Sequence, residues 1–253
     1  MFAPAQNIGE VIQQLEDIIQ DALQNNDPLG IFPSLYQKVT LLVKEGIQNG
    51  RFENGPRMER LDVIFANRYL QAYHQFTHQQ KCTKAWQPAF IAARKPHLIL
   101  QHLLAGMNAH INLDLGIAAA ETVASSGLQD LKVDFFEISK ILTSQIENTQ
   151  QQLNELSPML FLLDWVGKKT DERFAAFSLR KARSHAWRVA KRLAPLNSQQ
   201  KEEDIRELDG YVAILNKLIT RPGMLGQVLV RLIGWFEEKD VSKIIRGLQP
   251  ETN

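Results

Sequence analysis

Residues 96–124 read PHLILQHLLAGMNAHINLDLGIAAAETVA. Ile99, Leu100, Leu103, Leu104, Met107 and Ile111 recur at the i, i+3, i+4, i+7 spacing of an amphipathic helix. Pro96 suits its first turn, and Ser125-Ser126-Gly127 ends it. At about 100° per residue these apolar side chains form one stripe. His110 and Asp114 project from the middle of that stripe, one turn apart. A carboxylate in such a place must be paired, hydrogen-bonded or metal-bound.

The same helical period runs outward in both directions. Ile8, Val11, Ile12, Leu15, Ile18, Ile19, Ala22 and Leu23 follow it closely, with Asn7 as the expected N-cap. Further helices are expected from Ser34 to Asn49, Met58 to His78 and Ala85 to Lys95. Asp134 is expected to cap one reaching Leu156, and Ser157-Pro158 to open a short one ending near Gly167. Thr170, Ser198 and Asp240 are expected caps further on, with Pro222 opening the last long segment. No stretch alternates with period two, and the loops are short. The expectation is an all-α, single-domain bundle of about nine helices over residues 1–253.

Composition narrows the function classes. Formal net charge is +1, which provides no whole-molecule field for nucleic acid or an anionic membrane. Cys82 is the single cysteine, so a thiolate zinc cluster is excluded. Met1-Phe2-Ala3-Pro4 lacks a signal-peptide layout, and no apolar run reaches the roughly 20 residues of a membrane span. The expectation is a cytoplasmic protein acting on an unknown small molecule, without nucleic-acid or membrane partners. No phosphate-binding loop or dinucleotide fingerprint is present.

The functional argument rests on polar residues placed among apolar ones. Asp62 sits within the face formed by Leu61, Phe65, Tyr69, Ala72, Tyr73 and Phe76. His185 borders the stripe of the Thr170 helix, and Asp164 interrupts the apolar run 159–166. Asp62, His110, Asp114 and His185 therefore form a candidate ligand set for Zn, Fe or Mn. Helical bundles build metal sites in this way. The activity expected of such a site is metal-dependent, hydrolytic rather than oxygenating. His102 lies two turns before His110, about 12 Å along the axis, too far to share one ion. His102, Asn108 and Asn112 are candidate substrate-contacting groups beside His110.

A metal-free version keeps His110 as a base oriented by Asp114, with no evident nucleophile. The alternative is a non-catalytic helical protein that binds an apolar small molecule or a protein partner. Its buried His/Asp/Asn cluster would then be a structural hydrogen-bond network. Cys82 between two lysines reads as an inert loop thiol, and Arg180, Lys181, Arg183, Arg188, Lys191 and Arg192 read as a solvated basic face. Trp86, Trp165, Trp187 and Trp235, with Tyr69 and Tyr73, read as core before pocket lining.

The string Gly106-Met107-Asn108-Ala109-His110-Ile111-Asn112-Leu113-Asp114-Leu115 resembles the signature of a bacterial family of unknown function. Its members carry a GMNAHIN-x-DL motif preceded by a histidine, here His102. Arg60 to Tyr69 resembles the same family. The resemblance implies a helical domain with functional polar residues in the string, and it implies no activity. A fainter similarity is to helical zinc-dependent phospholipases and nucleases, which also use His-x-x-x-Asp ligands. Their secretion signal and histidine-rich ligand set are missing here.

Overall fold

Helical periodicity becomes helix along the whole described chain. A computed structural model describes residues 2–123, 127–144, 146–163 and 179–249. Among these residues there are twelve α-helices and no strand, against the nine or so expected. They are α1 (Ile8–Asn25), α2 (Ile31–Gln48), α3 (Gly55–Thr77), α4 (Trp86–Ala93), α5 (Ile99–Ala109), α6 (Leu115–Thr122), α7 (Leu128–Ser144), α8 (Ile146–Leu156), α9 (Leu179–Leu193), α10 (Ser198–Thr220), α11 (Met224–Phe236) and α12 (Val241–Leu248).

One expected helix is divided. The long central one becomes α5 and α6, joined through a π-helical turn at His110–Asp114. The one expected from Asp134 to Leu156 is covered by α7 and α8, with residue 145 between them outside the described residues. The expected Thr170 cap, Asp164, Trp165 and the stop at Gly167 lie outside the described residues.

Side-chain caps start α1, α3, α10 and α12. The Asn7 side chain accepts from the Glu10 amide, and Asn26 closes α1 in the left-handed region at φ 52°. Asp240 caps α12. The cap of α10 is Asn197 rather than Ser198, in a reciprocal capping box with Gln200. Ser34 is no cap either. It lies within α2, and its hydroxyl donates to the Gly30 carbonyl.

Asp134 departs furthest from its expected role. It lies inside α7 and is buried there. Its carboxylate accepts from the amides of Glu53 and Asn54 at 2.7 and 3.1 Å and from Arg57 Nη2 at 2.9 Å. It thus satisfies the loop leading into α3, about eighty residues earlier in the chain.

The α5–π–α6 rod is the axis of the fold. It packs on α2, α3, α4, α9 and α10. α1 lies against α2 and α3, and α12 against α2 and α8. Close approach to the rod is made at two glycines. A Cβ at Gly106 would strike the Phe32 ring, and one at Gly116 would lie 2.7 Å from Val189 Cβ and 2.8 Å from the Ala186 carbonyl oxygen. Gly106 therefore marks close packing and not an open space.

The same substitution should have opposite signs at two of the glycines. Gly116→Ala forces α6 and α9 apart and is expected to lower stability by about 1–3 kcal/mol. A Cβ at Gly210, inside α10, meets nothing within 4 Å. Gly210→Ala is expected to raise stability by about 0.5–1 kcal/mol through helix propensity. Urea unfolding of the two variants beside wild type checks both signs.

Candidate functional site

Asp114 is the most constrained polar residue of the rod. It is buried, and both of its oxygens are engaged. Arg68 Nε donates to Oδ1 at 3.0 Å, and Trp86 Nε1 donates to Oδ2 at 2.8 Å. His110 Nδ1 lies 3.4 Å from the same Oδ2, across the π-turn. π-Turns recur at functional positions in helices. The Phe65 ring stacks on the imidazole, 3.6 Å between centroids and 9° from parallel. Tyr36 packs against its edge at 4.5 Å. His110 is therefore held on three sides, with Nδ1 toward Asp114.

Its other nitrogen, Nε2, is buried without a hydrogen-bond partner. It borders an apolar cavity of about 240 Å³ lined by residues of α2, α3, α5, α6, α7, α8 and α9 and by the π-turn. Phe32, Leu35, Val39, Leu61, Leu103, Leu104, Met107, Ile138 and Leu153 supply most of the wall. Thr149 and Gln150 of α8 also line it, and Gln150 is exposed.

Two more polar groups line the same space. Asp62 Oδ2 has no partner, and neither has the Tyr36 hydroxyl. The Thr40 hydroxyl donates its proton to the Tyr36 carbonyl oxygen at 3.0 Å. Seven buried side-chain atoms among the described residues lack a partner, and three of them face this one cavity. A fourth, Tyr69 Oη, sits in the adjoining cluster of Phe32, Tyr36, Trp86 and Phe90.

Burial moves the two titratable groups in opposite directions. Loss of solvent, with Glu59 nearby, raises Asp62 from an ordinary 3.8 to about 7. Loss of solvent lowers His110, partly offset by its contact with Asp114. Near neutral pH the carboxyl is thus partly protonated while the imidazole is neutral. Burial also raises Tyr36, with Asp62 and Asp114 adding to it, so its hydroxyl keeps its proton.

The remaining expected site residues lie elsewhere. Asn108 donates to the Val212 carbonyl and to Asn216 Oδ1, and Asn112 donates to Asn108 Oδ1. Asn216 in turn donates to the Ala85 carbonyl. These three amides form a ladder that ties the rod to α10 and α4. His102 is buried beside His97, and burial brings its pKa to about 4. It borders a separate cleft near α4 and α11. His185 is half-buried and does not line the cavity.

Of the four expected metal ligands, Asp62 and His110 face the cavity, Asp114 stands behind His110, and His185 is apart. No group of three His, Cys, Asp or Glu side chains that could hold a metal ion occurs among the described residues. Cys82 has its thiol pKa raised by burial, as befits an unreactive loop residue.

Some contributors were not singled out from sequence. Tyr36 reads as one more aromatic on an apolar face, and Arg68 as a residue at the edge of one. Arg183 reads from sequence as part of a solvated basic face. It is buried instead, lies over the Phe135 ring, donates to the Phe135 carbonyl and reaches the cavity wall.

A family model described as a family of unknown function, DUF5995, matches residues 8–222. The chain belongs to this family. The matched span contains the whole cavity, the Asp114 contacts and the asparagine ladder, and it ends before α11. No curated protein and no solved structure matches the chain.

The Asp62 shift has a stability consequence with a definite sign. The folded state holds a proton between pH 3.8 and about 7 that the unfolded chain releases. Stability from this group is therefore greatest below 3.8, falls as pH rises through that window and is level above it. Asp62→Asn removes the dependence. Its stability relative to wild type is expected to climb by up to about 4 kcal/mol from the acid to the alkaline side. Thermal unfolding of both proteins across the window tests this. A pH-independent difference would show that the carboxyl titrates normally.

Proposed function

We propose that the chain binds a small apolar molecule bearing one hydrogen-bonding group, and that Asp62 and His110 exchange a proton with that group. One observation carries this reading. Tyr36 Oη, Asp62 Oδ2 and His110 Nε2, each buried and without a partner, converge on a single cavity whose walls are otherwise apolar.

Each such atom costs about 1–3 kcal/mol while it stays unsatisfied. A ligand oxygen that accepts from Asp62 or Tyr36 and donates to His110 would offset that cost. The cavity of 240 Å³ exceeds the roughly 150 Å³ of an apolar cavity known to take up benzene, so a ligand larger than one ring fits the space. Two groups displaced by their surroundings toward opposite proton roles are the pattern of an acid–base pair. Asp114, fixed by Arg68 and Trp86, acts on His110 as the orienting carboxylate.

A metal-dependent reaction asks more of these residues. Catalytic zinc sites commonly use three protein ligands plus an open position. Asp62 and His110 are two, and the oxygens of Asp114 are already engaged. The geometry favours acid–base chemistry without a metal ligand set, and a His110-activated water attacking an apolar ester belongs to that class.

Calorimetry with naphthalene, naphthol and acetonaphthone tests the reading. The two oxygenated probes are expected to bind about tenfold or more tightly than naphthalene. His110→Gln should erase the margin of naphthol, whose hydroxyl alone of the probes can donate to Nε2, Asp62→Leu should shrink the margin of both oxygenated probes, and Leu104→Trp should block all three by filling the cavity. Proton exchange should make the binding enthalpy depend on the ionisation heat of the buffer, and Asp62→Asn should abolish this dependence. Equal affinity for all three probes in wild type would remove the polar atoms from any ligand-contacting role.

A further inference from the structure

α11 carries its apolar side outward. Met224, Leu225, Val228, Leu232, Trp235 and Phe236 are all exposed, Met224 at 87%, Leu225 at 75% and Trp235 at 76%. At about 100° per residue these six fall on one arc of the helix. Only Ile233, on the opposite side, is buried. Among the described residues α11 packs extensively against no other helix. α10, immediately before it, also turns Tyr211, Ile214 and Leu218 to solvent.

The charges of the segment 217–249 are not balanced. Lys217, Arg221, Arg231, Lys239, Lys243 and Arg246 stand against Glu237, Glu238 and Asp240. Glu237 is buried and accepts from the Ile99 amide, Asp240 is the cap of α12, and Glu238 pairs with Lys243. In a chain of net charge +1, the segment 217–249 that contains α11 thus carries six basic against three acidic side chains.

No described helix is long and apolar enough to cross a membrane. α11, with 13 residues, spans about 20 Å, short of the hydrocarbon thickness.

We propose that α11 docks the protein on the surface of an anionic lipid bilayer. The helix lies in the plane of the interface, its stripe among the upper acyl segments and Arg221, Arg231 and Lys239 level with the phosphates. Exposed tryptophan, phenylalanine and leucine on one side of a helix are the composition that partitions into this zone. Neighbouring basic residues add attraction to anionic headgroups. The charge surplus favours a bilayer over a second protein, since Arg231 borders the apolar stripe where a helical partner would have to bury it.

The test is flotation of the full chain with vesicles of phosphatidylcholine alone and of phosphatidylcholine mixed with phosphatidylglycerol, with light scattering on the free protein. The expected result is binding to the mixed vesicles that weakens with salt and comes with a blue-shifted emission absent in Trp235→Phe. Leu225→Glu and Leu232→Glu replace exposed side chains, so the fold is spared. Each should lower partitioning about tenfold or more. Arg231→Glu should weaken binding to the mixed vesicles more than to the neutral ones. Absence of binding to either vesicle overturns the proposal. So does a dimer that Leu232→Glu dissociates while vesicle binding stays unchanged, which would make the stripe a protein interface.

Discussion

A carboxylate carried into the middle of a helical core must be answered by donors, and everything around the rod is arranged to answer Asp114. Arg68 comes from α3, Trp86 from α4, and His110 from the turn before it. Three elements are therefore fixed relative to one another by a single side chain. Arg68 brings a countercharge, without which a buried carboxylate would cost several kcal/mol. Trp86 brings a large apolar body with its one polar atom satisfied. The same contacts fix the orientation of the imidazole, so that the nitrogen left over can only face the cavity.

The cavity is what remains when this hub is satisfied on one side alone. Between Asp114 and α4 the Trp86 indole is paired, and Tyr69 Oη is the one unpaired polar atom named there. On the far side of His110, across Phe65 and Tyr36, polar atoms stand unpaired among leucines and valines. Natural interiors rarely leave several such atoms together. The asparagine ladder is fully paired, whereas the Asp62–His110–Tyr36 face is not, and the proposed ligand role rests on that difference.

Much of this was readable as a one-dimensional pattern. Amphipathic spacing located the helices, Asn7 and Asp240 announced their caps, and the His110–Asp114 pair stood out because polar residues broke an apolar stripe. A helical wheel reports which side is buried but not what that side meets. Tyr36 was therefore indistinguishable from a core aromatic, and His185 from a convergent ligand. Arg183 was assigned to the wrong environment because basic neighbours suggested solvent. Asp134 looked like a local cap when its partners lie some eighty residues away. The π-turn leaves no distinct composition signal, since weak helix formers such as His110, Asn112 and Asp114 also occur within ordinary α-helices.

The asparagine ladder has a consequence for how the chain comes to be folded. Asn108 meets Asn216 across 108 residues, Asn216 meets Ala85 across 131, and Gln101 meets the Ile219 carbonyl across 118. While the chain is being synthesised, the rod is finished long before α10 exists. Until α10 arrives the Asn108 amide must stay hydrated, so the groove that will receive it cannot close dry. Loop closure over such separations is slow compared with helix formation. The nascent protein therefore passes through a stage with helices formed and one side of its axis open to water, when chaperone capture and misassociation compete with completion of the core.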